Sequence, residues 1–160
     1  MENQLLKCSW FFLFMFSTVF KILDSAINLD EVKAWYFAID IDLQNNIIKL
    51  NTIDQLFNEG VDSLGDSLGE YSPFTVELKK IKGQPTDRIT LKDTGDFYRT
   101  FKVEVKDDSF FINANPIKDD SNLFDDFGSE IVGLTEENQI KVSKTILDNT
   151  IKYIRKQLGL

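Results

Sequence analysis

Residues 72–101 leave room only for short elements separated by forced turns, and this constrains how the rest of the chain can pack. Ser72 ahead of Pro73 has the form of an N-cap followed by a first helical residue. Lys79, Lys80 and Lys82 suit the last turn of that helix, and Gly83 stands just past its end. Residues 84–90 read as an extended connector. In "TLKDTGDFYRTF" (90–101), Asp93 or Thr94 can cap a second helix and Gly95 relieves crowding where the chain turns. Phe97, Tyr98 and Phe101 then fall on neighbouring faces of one short helix. Packing alone accounts for this pattern, since burying each phenylalanine is worth about 1.5–3 kcal/mol.

Directly afterwards "FKVEVKDD" and "SFFINANP" alternate as two strands around an Asp107-Asp108-Ser109 turn, and Asn115-Pro116 ends the second. Val103 and Val105 are expected on the packed face, with Phe111 and Ala114 adding to it. The flanks are helical. Asp30 can cap a helix over 31–50 whose apolar positions are Val32, Trp35, Tyr36, Ile39, Leu43, Ile47 and Leu50. A short helix around Thr52–Glu59 follows, closed by Gly60. Residues 122–135 read as a short helical or irregular segment broken at Gly128 and Gly133. Thr135, with Glu136 and Glu137 behind it, opens a last helix with the stripe Ile140, Ile146, Leu147, Ile151, Ile154 and Leu158. The expected fold class is α+β, a small antiparallel, hairpin-centred sheet packed by several helices, with long N- and C-terminal helices. The 160 residues divide into an apolar N-terminal helix or extension (1–28) and a single α+β domain (29–160).

Composition removes most chemistry. The formal charge of −8 repels phosphate, so specific nucleic-acid binding is not expected. There is no histidine, which excludes Ser-His-Asp and Cys-His nucleophiles and His-ligated metals. Cys8, the one cysteine, can form no intrachain disulfide. Ser67 in "GDSLG" has no histidine base. "DIDLQN" (40–45) lacks the glycine and closing glutamate of a calcium loop. The acidic stretch 118–130 could offer oxygen ligands, yet its paired aspartates point apart on a regular element and bring no nucleophile or base. No enzyme activity, cofactor or metal is therefore expected.

The apolar run "WFFLFMFSTVF" (10–20) is about eleven residues, against about 20 for a membrane-spanning helix, so the membrane is not the expected partner. As a secretion signal it has weak flanks: Lys7 is offset by Glu2, and Asp24 occupies the −3 position of a cut after Ala26. A secreted or membrane-attached binding domain with an N-terminal signal or anchor stands as the alternative. The preferred reading is a helix whose stripe Phe16, Val19, Phe20, Leu23 and Ile27 packs on the domain or on a neighbouring subunit. Met15 offers a second start position.

Four features in order carry a resemblance: "YSPFTVELKK", "ITLKDTGDFYRTF", the hairpin, and "LFDDFG". Over roughly residues 60–134 this order resembles the phage virion-morphogenesis and tail-completion proteins, the small factors of the head–tail connection. The matching positions are Tyr71, Pro73, Thr75 and Lys79, then Leu91, Thr94, Gly95, Phe97 and Thr100, with Phe101 behind them, then Phe127 and Gly128. Phe97 and Thr100 stand where the family more often has Leu and Ser. The resemblance implies a non-enzymatic virion protein assembled in the host cytoplasm, forming a homo-oligomeric ring against other neck, tail or portal-associated proteins. In such a ring the acidic residues Asp119, Asp120, Asp125 and Asp126 are candidates to line a DNA passage, because like charge lets a polyanion slide without sticking.

Overall fold

The structure, a computed structural model, describes residues 21–22, 24–26, 28–106, 109–118 and 121–160. The expected stripe of Phe16, Val19, Phe20, Leu23 and Ile27, the turn residues Asp107 and Asp108, and Asp119 and Asp120 lie outside the described residues.

The fold is α+β, with two small antiparallel sheets among helices. Helix α1 (Glu31–Ala38) starts at Asp30, whose carboxylate accepts from the Lys33 amide at 3.0 Å. The single helix expected over 31–50 is broken after α1. Ile39 leaves helical geometry (φ −105°, ψ 59°), and Asp40 restarts the chain as the N-cap of α2 (Ile41–Lys49), accepting from the Leu43 amide at 2.9 Å. An aspartate competes with the helix for its own backbone, and here it wins. The break leaves Val32 and Tyr36 exposed while Ile39, Leu43, Ile47 and Leu50 are buried.

Without an intervening turn, α2 passes into a π-helix, Leu50–Glu59, which Gly60 ends in the left-handed region at φ 69°. Such a length of π-helix is unusual. Its buried residues, Leu50, Asn51 and Thr52 and then Gln55 and Leu56, with Gly60 buried just past its end, follow the four-to-five spacing that an i→i+5 ladder requires. Asn51 and Gln55 spend that burial on polar contacts. Asn51 donates to the Ile131 carbonyl at 3.2 Å and accepts from the Gly133 amide at 3.0 Å. Gln55 donates to the Gly133 carbonyl at 3.0 Å and accepts from the Thr135 amide at 3.0 Å and from Asn138 at 2.9 Å.

Helix α3 (Pro73–Ile81) begins as expected, with the Ser72 hydroxyl accepting from the Thr75 amide at 3.3 Å. The one-turn helix α4 (Asp96–Arg99) has Gly95 at its cap, φ 88°. Strands β1 (Lys102–Val105) and β2 (Phe110–Asn113) pair antiparallel with Val103 opposite Ile112 and Val105 opposite Phe110. That register corrects the expectation for Phe111. It points outward, beneath the Lys106 ammonium at 4.6 Å, and Phe110 and Ile112 take the packed face. A second, unanticipated ladder pairs β3 (Ile117–Lys118) with β4 (Ser121–Asn122). Asn122 caps α5 (Leu123–Phe127), and a 3₁₀ turn (Ser129–Ile131) leads toward the last helix.

Helix α6 (Glu136–Leu158) is capped by Thr135. Its stripe also needs correcting: Ile140, Leu147 and Ile151 are exposed, and the buried residues are Asn138, Val142 and Tyr153. Asn138, Val142, Ile146, Asn149 and Tyr153 share one helical face. Asn149 on it donates to the Ala38 carbonyl at 3.1 Å, and the Tyr153 ring lies 5.3 Å from that of Phe37. One core cluster joins Ile39, Leu43, Ile47 and Leu50 to Leu134 and Val142, and a second joins Leu56, Phe97 and Phe101 to Leu123 and Ile131. Ile112 packs against both, so the hairpin couples them.

Candidate functional site

The residues singled out in "YSPFTVELKK" and "ITLKDTGDFYRTF" meet around residues 90–93. Leu91 holds the left-handed backbone at φ 52°, the one described non-glycine residue with positive φ. A side chain there costs roughly 1–2 kcal/mol, so the surroundings must fix the geometry. They do so through bonds to the backbone on both sides of it. Tyr98 donates its hydroxyl to the Thr90 carbonyl, and the Tyr71 hydroxyl accepts from the Thr90 amide at 2.9 Å. The Lys79 ammonium donates to the Lys92 carbonyl, and Gln84 donates to the Asp93 carbonyl at 2.8 Å.

Lys79 is itself buried, its ammonium also bound to Gln84 Oε1 at 2.8 Å and lying 5.1 Å from the centre of the Tyr71 ring. A buried ammonium is tolerable only with such partners. Burial pushes the Tyr98 phenol well above its ordinary pKa, which keeps it a proton donor to Thr90.

Between α3, this pinned segment and α5 lies a cleft of about 290 Å³. Leu78, Ile89, Leu91, Leu123 and Phe127 supply its apolar lining, and Lys79, Lys82, Lys92 and Lys118 stand around it with Asp93 the one carboxylate. Asp93 pairs with Lys82 and has Lys118 at 3.8 Å; the Lys82 hydrogen bond, first, holds its carboxyl below the ordinary range. In a chain of net charge −8 this is a local excess of positive charge.

Of the motif residues, Tyr71, Thr75, Lys79, Leu91 and Phe127 line the cleft. Thr94, Phe97 and Thr100 line a separate hollow of about 220 Å³ on the other side of Asp93 and Lys118. Thr100 also accepts from the Asn115 amide at 3.0 Å, which ties α4 to the end of β2. Phe97 and Phe101 are buried with ring centres 5.0 Å apart. Gly95 and Gly128 supply positive-φ turns, and Pro73 starts α3 on the surface. Neither Asp93 nor Thr94 caps α4, whose N-cap is Gly95 with no side-chain hydrogen bond; the Asp93 carboxylate pairs with Lys82, and the Thr94 hydroxyl accepts from the Asp96 amide at 3.4 Å.

Sequence reasoning missed Thr90, Gln84 and Lys92, whose roles are to hold backbone or rim the cleft, and it read Tyr98 only as a packing aromatic. It also missed that Phe74, Leu78 and Ile81, one turn apart on α3, face solvent with 74%, 44% and 83% of their surface exposed. Their i, i+4, i+7 spacing was readable, but spacing alone assigns such a stripe to the core. Among the described residues no group of three His, Cys, Asp or Glu could hold a metal ion, and no helix is long and apolar enough to cross a membrane. Compared with protein-family models, curated proteins and solved structures, the chain matches none.

Proposed function

We propose that the protein is a non-enzymatic structural component of the neck or tail of a bacteriophage virion, acting in tail completion or head–tail connection. It works by protein–protein contact and assembles as a ring. The observation that carries this reading is the exposed apolar face of α3 beside the cleft. Phe74, Leu78 and Ile81, at i, i+4 and i+7 on α3, form an exposed apolar stripe, the mark of a surface another protein covers. The stripe and the cleft both belong to the segment whose motif resembles the tail-completion proteins, which ties the docking surface to that resemblance. Tyr71 and Lys79 in the cleft are committed to holding the 90–93 backbone, which favours a docking role over a chemical one.

In this reading Asp125 and Asp126, both exposed on α5, face the DNA passage. Quantitative mass spectrometry of purified source particles, scaled to the portal protein, tests the proposal. Copies equal to one ring support it. Absence from finished particles overturns it, and processing near Ala26 would then favour a secreted or membrane-attached domain.

A further inference from the structure

A second exposed apolar feature is opposite to the cleft in charge. Residues 60–69 form a closed loop with Leu64 at its tip, 73% exposed. The loop is rigid: the Asp62 carboxylate accepts from the Leu64 amide at 2.8 Å and from the Asp66 amide at 3.0 Å. The Asp62 amide donates to the Asp66 carbonyl at 3.0 Å, and Val61 and Ser67 form an antiparallel bridge. Beside the tip, Ser63 donates its amide to the Glu130 carbonyl at 2.9 Å. Holding a leucine in solvent on so ordered a loop gains nothing for the monomer. Asp62, Asp66 and Glu70 flank it.

We infer that the lysine-rimmed cleft, together with the α3 stripe, is the socket for the Leu64 loop of a second copy of this chain. Leu64 enters the apolar floor made by Leu78, Leu91, Leu123 and Phe127, and the carboxylates of its loop meet Lys82, Lys92 and Lys118. Asp62 and Asp66 on the loop and Glu70 just beyond it face Lys82, Lys92 and Lys118, which Asp93 alone offsets in the cleft, so the charges complement. The acids nearest the cleft do not oppose this. Leu123 and Phe127 share the face of α5 turned to the cleft, which places Asp125 on the opposite face and Asp126 on its exposed flank. Leu64 does not line its own chain's cleft, so knob and socket are different patches. Such a contact is head-to-tail: it adds subunits in one direction and closes into a ring when the rotation permits. The inference rests on the ring assembly proposed above and names its interface.

The test uses the full chain and its Leu64→Glu and Ile81→Glu variants, each changed at a highly exposed position, with thermal melts checking that both fold. Light scattering after size exclusion reads the mass. Wild type is expected to be oligomeric, and each variant alone to self-associate about 30-fold more weakly or worse. A 1:1 mixture of the two variants is expected to form a heterodimer and stop there, because only one intact knob and one intact socket remain. Variants that assemble like wild type, or a mixture that stays monomeric, overturn this interface and leave the ring proposal to the particle copy number. A wild type that remains monomeric also overturns it, whatever that copy number is.

Discussion

Replacing Gln55 by leucine tests the least expected part of the fold. Gln55 is fully buried in the π-helix, and its amide serves three groups on the segment that leads into α6: the Gly133 carbonyl, the Thr135 amide and the Asn138 side chain. Leucine keeps the volume and removes every one of these bonds. Each polar group stranded in the interior costs about 1–3 kcal/mol, so three cost about 3–9 kcal/mol before relaxation. Two effects reduce this. The buried amide's own desolvation disappears, and the half-buried Thr135 amide can recruit water. We expect a net loss of about 3–5 kcal/mol, a large share of the 5–15 kcal/mol typical of a folded domain. Urea unfolding followed by far-UV circular dichroism measures it, with the slope unchanged and the midpoint lowered. The same change made in an Asn138→Ala background should cost at least about 1 kcal/mol less, because one stranded group is already gone. A cost below about 1 kcal/mol for Gln55→Leu alone would refute the polar clasp, and with it the reason given for the π-helix.

Three shorter predictions follow from the hairpin, the turn at α4 and the ion pair at the cleft. Ile112→Ala, at a half-buried position packed against both cores, should destabilise by about 1–3 kcal/mol, whereas Phe111→Ser should change stability by less than about 1 kcal/mol; equal effects in urea unfolding would show that the register is wrong. Gly95→Ala meets no clash, its nearest neighbour being Arg99 Nη1 at 3.5 Å, so its cost should be the strain of φ 88° alone, about 1–2 kcal/mol by thermal melting. Asp93 has its pKa lowered by Lys82, so its contribution is fully present above the ordinary value of 3.8 and is lost as pH falls through the lower folded value. Asp93→Asn should therefore narrow its stability gap to wild type when melting curves are taken below pH 3.8, and a gap independent of pH there would count against the pairing.

What was legible in the sequence was local. Asp30, Ser72 with Pro73, Gly60 and Thr135 each mark an element boundary through bonds to residues a turn away, so no knowledge of the partner element is needed. What failed depends on which face meets what. The inner face of α6 carries Asn138 and Asn149, whose partners lie 83 and 111 residues away in sequence, and a count of apolar residues passes over it in favour of Ile140 and Leu147. Adjacent phenylalanines at 110 and 111 leave the phase of β2 open until Val103 and Val105 find their opposite residues. The cleft was half legible. Its motif positions stood out by order and spacing, but Thr90, Gln84 and Tyr98 matter only because Leu91 adopts a backbone that nothing in the sequence announces.

Leu91 is therefore where the fold and the proposed docking can be separated. If its side chain serves the cleft, the core has little to lose with it. Leu91→Gly removes a half-buried leucine, costing about 1–2 kcal/mol of burial, and relieves the left-handed strain by a similar roughly 1–2 kcal/mol. Stability in urea should then stay within about 1 kcal/mol of wild type, while self-association weakens because the floor of the socket has gone. A loss of more than about 3 kcal/mol would mean instead that Leu91 is held in strain to seal the Leu56–Phe97–Phe101 core, against which it also packs. Unchanged association with unchanged stability would remove Leu91 from both roles and leave its strained backbone without a purpose. A side chain kept in a costly conformation by Tyr71, Lys79, Gln84 and Tyr98 together makes physical sense only if what it presents is used, and in this fold it is presented to the cleft.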